Sequence, residues 1–200
     1  MKRVLFLSSH PGADTEPLAE AWQQHPRIQL ANLPIVYTYP MDLMTLTNLP
    51  HKHTTNAAIY LVGLISNENL TGRLLYKLPC CCFVYLIRRP LPTITRIVQQ
   101  QLCDHKTAMD IYIIRVRRLY EMAVQTPGAV FLTWDNIKEN KGLDLVQQYL
   151  HLKEPLLSCS QHLLEPDDYI PQSQVQEAEE FYERIVYRMK QIKHLKFVSQ

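Results

Sequence analysis

The chain has 200 residues, 46% of them hydrophobic and 20% charged, with a formal net charge of +2. That length suits one domain with a sizeable core, and the near balance of charge gives no support for a generally nucleic-acid-binding surface. The opening MKRVLFLSSHPG holds only a short apolar run, too short for a signal peptide or a membrane span.

The five cysteines show no CxxC-type spacing: Cys80, Cys81 and Cys82 are adjacent, and Cys103 and Cys159 stand alone. They read as buried free thiols in a reducing, cytoplasmic compartment, with no metal centre. There are no internal repeats or low-complexity runs.

Val4 to Leu7 is an apolar run followed by SSHPGADTEPLAEAW, in which turn residues give way to helical spacing. This is the strand, loop, helix opening of a nucleotide-binding α/β domain. Asp14 or Thr15 is placed to cap a helix whose apolar side includes Leu18, Ala21 and Trp22. Glu16 and Pro17 suit its first turn. From Gln23 to Asn56 the pattern is irregular, interrupted by Pro26, Pro34, Pro40 and Pro50, and only Ile35 to Tyr39 looks extended. Loops of that length are usually functional. Here His51 and His53 flank Lys52; two histidines without a third ligand make a poor metal site. That leaves a histidine general base or a solvated basic loop.

Ala57 to Ile65 is the next apolar run, and the SNEN after it puts Asn67 and Glu68 at a strand end. Glu68 either faces a crevice there or sits in the first turn of a helix over Leu70 to Leu78. Cys81 to Ile87 is continuously apolar and bracketed by Pro79 and Pro90, as expected of a strand buried on both faces of a parallel sheet. Arg88 and Arg89 follow at its carboxyl end, where open α/β sheets bind ligands, and Arg96 falls near the start of the next helix. Three arginines in that arrangement read as an anion site, pairing with structural carboxylates being the alternative.

Asp104 to Gln125 is a long amphipathic pattern with Ile111, Ile114, Leu119 and Met122 on its apolar side and Arg115, Arg117 and Arg118 on a solvated face. Thr126-Pro-Gly ends it, and Ala129 to Thr133 is a further buried strand. The tail from Gln172 reads as a helix of about twenty residues with an apolar stripe through Val175, Ala178, Phe181, Ile185 and Met189. Four apolar runs, Val4–Leu7, Ile59–Ile65, Cys81–Ile87 and Ala129–Thr133, separated by helical stretches of crossover length, predict a single α/β domain over residues 1–200. Its parallel sheet has four or five strands with helices on both faces.

The segment YLIRRPLPTITRI resembles the 3′-phosphate-binding segment of the sulfotransferases that use 3′-phosphoadenosine 5′-phosphosulfate (PAPS), where a strand ends in Arg-Asp/Asn-Pro and a serine follows in the next helix. Arg88 and Pro90 match. Arg89 replaces the acidic or amide residue, and Arg96 stands where the phosphate-contacting serine falls. The loop Pro11, Gly12, Ala13, Asp14, Thr15 occupies the place of the family's Pro-Lys-Ser-Gly-Thr-Thr phosphosulfate loop, a relative of the P-loop. It keeps a glycine and a threonine but has no lysine: Gly12 falls in the lysine position and Asp14 in the glycine position. Either His10 substitutes as the cation or turnover is lost. FLTWDNI is similar to the family's leucine-threonine-Tyr-Glu-Asp-leucine strand end, while the Arg-Lys-Gly segment that covers the donor in many members does not occur.

The resemblance implies a P-loop NTPase-like sulfotransferase fold, PAPS as donor without a metal, and a small-molecule or glycan acceptor. It puts Arg88 and Arg96 on the 3′-phosphate of an adenosine 3′,5′-bisphosphate-type nucleotide and Pro11 to Thr15 around the 5′-phosphosulfate. Glu68, His51 or His53 would be the base. Two other readings stay open, a non-catalytic sulfotransferase-like protein that binds a nucleotide or a protein partner, and a P-loop-related small-molecule kinase, which would lack GxxxxGK[ST].

Overall fold

A computed structural model describes residues 3–30, 59–65, 80–101, 103–157, 173 and 175–198. His51, His53 and Glu68 lie outside the described residues, as do the extended run at 35–39, the helix expected over 70–78 and Cys159. The apolar run after Lys2 forms β1 (Arg3–Ser9), which leads through a tight loop into α1 (Glu16–Gln23) and the short β2 (Ile28–Leu30). Then come β3 (Ile59–Ile65) and β4 (Cys81–Ile87), followed by α2 (Pro90–Gln101) and α3 (His105–Val124). The chain continues through β5 (Val130–Thr133), α4 (Trp134–Lys138), α5 (Lys141–Leu150), α6 (Gln176–Lys190) and β6 (Lys196–Phe197).

The strands form one six-stranded sheet in the order β2-β3-β1-β4-β5-β6, and every neighbouring pair is parallel. All four strands expected from the sequence are present. The sheet extends beyond them through β2 and β6, three and two residues long, too short to stand out as apolar runs.

Because side chains alternate across a strand, each central strand feeds two cores. Val4, Phe6, Phe83, Tyr85 and Ile87 point to the face covered by α2, α3 and α6, where the Phe6 and Phe83 rings stack 5.2 Å apart. Leu5, Leu7, Cys82, Val84 and Leu86 point to the face covered by α1, α4 and α5. This double burial is why the sequence of β4 shows no polar alternation. Helix stripes agree: Leu18, Ala21 and Trp22 of α1 are buried, as are Ala178, Phe181, Ile185 and Met189 of α6. In α3 the stripe runs through Ala108, Tyr112, Val116, Leu119 and Met122, whereas Ile114, expected on the apolar side, is 57% exposed. It sits half a turn from Tyr112 and Val116, which set the true stripe. Cys82 is buried as expected, but Cys80 is exposed at the turn into β4.

The topology determines where a ligand can bind. From β1 the chain crosses toward β2 and from β4 it crosses toward β5, in opposite directions. The carboxyl ends of β1 and β4 therefore flank a topological switch point, and the register Val4↔Cys81 to Ser8↔Tyr85 brings their following loops together. Among the described residues no helix is long and apolar enough to cross a membrane, and no group of three His, Cys, Asp or Glu could hold a metal ion.

Candidate anion site at the switch point

Arg88 is the first residue beyond β4, and its backbone is pinned on both sides. Its N–H donates to His10 Nε2 at 3.1 Å, and its carbonyl accepts from the Tyr112 hydroxyl at 2.9 Å. Burial keeps the Tyr112 phenol protonated by pushing its pKa well above the usual value, so it remains a donor. With the backbone fixed, the Arg88 side chain, 7% exposed, turns into the loop after β1. There it meets the Gly12 carbonyl at 3.5 Å and forms a close ion pair with Asp14 Oδ2.

Arg96 reaches the same carboxylate from α2. Its Nε stands 3.4 Å from Asp14 Oδ1, an ion-pair distance, but without hydrogen-bond alignment, so this buried nitrogen has no hydrogen-bond partner. Two guanidiniums from opposite sides of the sequence element thus converge on one acid. Asp14 does not cap α1, as its position before the helix suggested; Thr15 holds the N-cap position without a side-chain cap bond.

The loop itself is held by packing. Gly12 has φ +74°, and a Cβ there would lie 2.9 Å from the Thr93 carbonyl and 3.2 Å from Ile97 Cγ1. Only a glycine lets this loop sit so close to α2. Asp14 also has a positive φ, 50°, a conformation that aspartate adopts more readily than most residues. The Trp134 Nε1–H closes the other side by donating to the Ala13 carbonyl.

His10 does not supply a replacement cation. It is fully enclosed, and burial lowers its pKa to about 4, with the Arg88 charge acting in the same direction. Nδ1 donates to the Pro11 carbonyl at 3.0 Å while Nε2 accepts from Arg88 N–H, so both nitrogens of the neutral ring are engaged. The ring also meets Tyr112 edge-on at 5.3 Å.

No family model matches the chain, and no curated protein matches it by sequence. Solved structures do match it. A sulfotransferase from Alicyclobacillus acidocaldarius is similar at a TM-score of 0.61 and 13% identity, over 98% of this chain and 97% of that one. Mouse sulfotransferase SULT7A1 complexed with PAP is similar at 0.58 and 13%, over 97% and 90%. The chain has a sulfotransferase-like fold. At such identity the likeness concerns architecture alone.

On this sulfotransferase-like fold the three arginines separate into two groups. Arg88 and Arg96 share Asp14, while Arg89 turns outward to a set of acids. Its Nε pairs with Asp135 at 3.0 Å, and its Nη1 lies 3.3 Å from Glu183 and 3.7 Å from Glu179. The guanidinium also sits 5.4 Å from the Tyr182 ring centroid. Arg89 therefore ties β4 to α4 and α6, which is the structural pairing that the sequence left open. Desolvation raises the Glu179 pKa despite the nearby guanidinium.

Of the residues expected at the site, the structure brings together Pro11, Gly12, Ala13, Asp14, Arg88 and Arg96, with Thr15 at the start of α1. Tyr112 and Trp134 were not anticipated as supports. The sequence hints for Trp134 are its position directly after a strand, at the same sheet edge, and its place in FLTWDNI.

Proposed function

We propose that this chain is a PAPS-dependent sulfotransferase that transfers a sulfuryl group to a hydroxyl or amine of a small-molecule or glycan acceptor, with the crevice between β1 and β4 as its donor site. The observation that carries this reading is the convergence of Arg88 and Arg96 on the Asp14 carboxylate at the switch point. A carboxylate gripped by two guanidiniums is the local equivalent of a bound phosphate. Arg96 Nε, ion-paired with Asp14 but without a hydrogen bond, supplies a donor that a tetrahedral oxyanion, with more oxygens, would use.

These residues fit the 3′-phosphate of an adenosine nucleotide once Asp14 gives way. The fold neighbour complexed with PAP supports that ligand class. Bound PAPS would supply the sulfuryl group and the bisphosphate leaving group. The chain's own part is to hold the 3′-phosphate with Arg88 and Arg96, to line the 5′ side with the backbone of Pro11 to Thr15, and to take the acceptor proton with Glu68, His51 or His53. Ser9 pairs with Ile65, so β3 ends at the edge where the loop begins, and Glu68 follows three residues later in sequence.

A second reading is nucleotide binding without turnover. It is favoured by the absence of a loop cation, since Gly12 packs against Thr93 and His10 is neutral. A cation that neutralises the leaving oxygen acts mainly in the transition state, so its loss costs rate more than affinity. Incubation with labelled PAPS and a mixture of hydroxyl acceptors distinguishes the two. Label transfer abolished by Glu68→Gln or His53→Ala supports the enzyme and names its base. Adenosine 3′,5′-bisphosphate binding without transfer selects the second reading, and absence of both rejects each.

A further inference from the structure

The acidic and basic halves of α6 face different tasks. Glu179 and Glu183 in its first half are engaged with Arg89 at the sheet edge. Arg184 and Arg188 follow on a surface turned toward α3, where they line a groove of about 300 Å³ with Arg117, Tyr120 and Phe181.

Arg117 of α3 and Arg184 of α6 both lie against the Phe181 ring, their guanidinium carbons 5.7 and 5.6 Å from its centroid. The ring's quadrupole attracts each cation but neutralises neither. Among the described residues no carboxylate forms an ion pair with Arg117, Arg184 or Arg188; Glu121, at the groove wall, is paired with Arg118 at 3.0 Å. The groove thus holds three arginines against one carboxylate, Glu121, which is already engaged by Arg118, and the excess of positive charge on two facing helices favours an added anion.

We propose that the groove between α3 and α6 is a second anion site, distinct from the switch-point crevice, that takes a sulfate or phosphate group, either free or as a monoester. Guanidinium forks match tetrahedral oxyanions, and the groove volume suits a small group. Within the groove Phe181 is 6% exposed beneath the two guanidiniums and offers no free face for base stacking; Tyr187, 66% exposed on α6, lies outside the groove lining, and the oligonucleotide arm of the test decides the nucleic-acid alternative. The inference does not depend on the donor-site reading.

The test is amide-resolved NMR titration with inorganic sulfate and with inorganic phosphate, at constant ionic strength set with chloride, the shifts in α3 and α6 being fitted separately from those of Gly12, Ala13 and Arg88 at the crevice. Saturable shifts in α3 and α6 are expected in the wild type and in the control Arg27→Gln, an exposed arginine elsewhere. Affinity should fall roughly 10-fold in Arg184→Gln and in Arg188→Gln. Both positions are exposed on α6, so the fold is retained. A sulfated oligosaccharide that binds tighter than inorganic sulfate identifies an ester as the source, and equal binding identifies the free ion. Unsaturable shifts, an equal loss in Arg27→Gln, or preferential binding of a single-stranded oligonucleotide would overturn the proposal.

Discussion

The Asp14 carboxylate is ion-paired with the guanidinium of Arg88, 74 residues further along the chain. The pair closes the crevice at the switch point from within. Both side chains are largely buried, and a buried pair is fragile because removing one partner strands the other charge. The positive φ of Asp14 adds a backbone cost of order 1 kcal/mol, which the contacts to Arg88 and Arg96 offset. An incoming phosphate would replace one anion by another of higher charge.

Asp14→Asn follows directly from this competition. Without a carboxylate to displace, adenosine 3′,5′-bisphosphate should bind roughly 10-fold tighter, or more, than to the wild type. The ligand-free variant should lose about 3 kcal/mol of stability, because Arg88 is left buried without its partner. Calorimetry and urea unfolding, each with and without the bisphosphate, measure both effects. Equal affinity for the two proteins would show that Asp14 does not compete for the site.

The two arginines should behave differently on substitution. Arg96 is more exposed, at 38%, so Arg96→Gln should lower bisphosphate affinity about 10-fold with little change in stability. Arg88→Ala should abolish binding and also destabilise the fold by about 3 kcal/mol, since it removes the buried partner of Asp14 and leaves only the more exposed Arg96 beside it. Isothermal titration beside thermal melts separates the outcomes. Matching losses of stability for both variants would mean that Arg96 is as structural as Arg88.

How legible this was varies with the range of the interactions. The sheet could be read because β1, β3, β4 and β5 are apolar runs and because burial on both faces removes polar alternation. The arginines could be read as a cluster from their place after β4. Which acid each arginine takes could not be read, since Asp14 and Asp135 are equally plausible carboxylates in sequence and only the parallel pairing of β1 with β4 selects between them. Ile114 was misplaced for a similar reason: helical spacing alone allows two stripes in α3, and packing of Tyr112 and Val116 against the sheet decides. The role of His10 depends on a hydrogen bond across 78 residues, which no local pattern encodes.

Gly12 leads to a prediction about engineering the loop. A lysine at position 12 would restore the charge that the family's loop carries, but the site has no room for it: any Cβ meets the Thr93 carbonyl at 2.9 Å, in a backbone conformation that side chains rarely adopt. Gly12→Ala should cost about 2 kcal/mol, and Gly12→Lys at least as much, without gain in PAPS turnover. Urea midpoints together with a label-transfer assay provide the check. A stable, more active Gly12→Lys protein would mean that the loop can move away from α2.

His10 should make the fold sensitive to mild acid. Its folded pKa of about 4 lies below the ordinary histidine value of 6.5, so between those pH values the unfolded chain binds a proton that the folded chain does not. Stability from this residue is therefore complete above pH 6.5, falls as pH drops toward 4, and levels off below it, with a total loss of about 3 kcal/mol. The physical cause is enclosure: the ring has no water to solvate a charge and Arg88 is beside it, which outweighs the opposing hydrogen bond to the Pro11 carbonyl and the Asp14 charge, while protonation would also break the Nε2 bond from Arg88 N–H. Carboxylates titrate in the same range, so the measurement is a comparison. Urea unfolding of the wild type and of His10→Gln across pH 4 to 7 should give the wild type the steeper dependence, by close to one proton at its maximum. Parallel curves would mean that the imidazole is solvated in the folded protein, and the Arg88 backbone would then lack the fixed acceptor that directs its side chain into the loop.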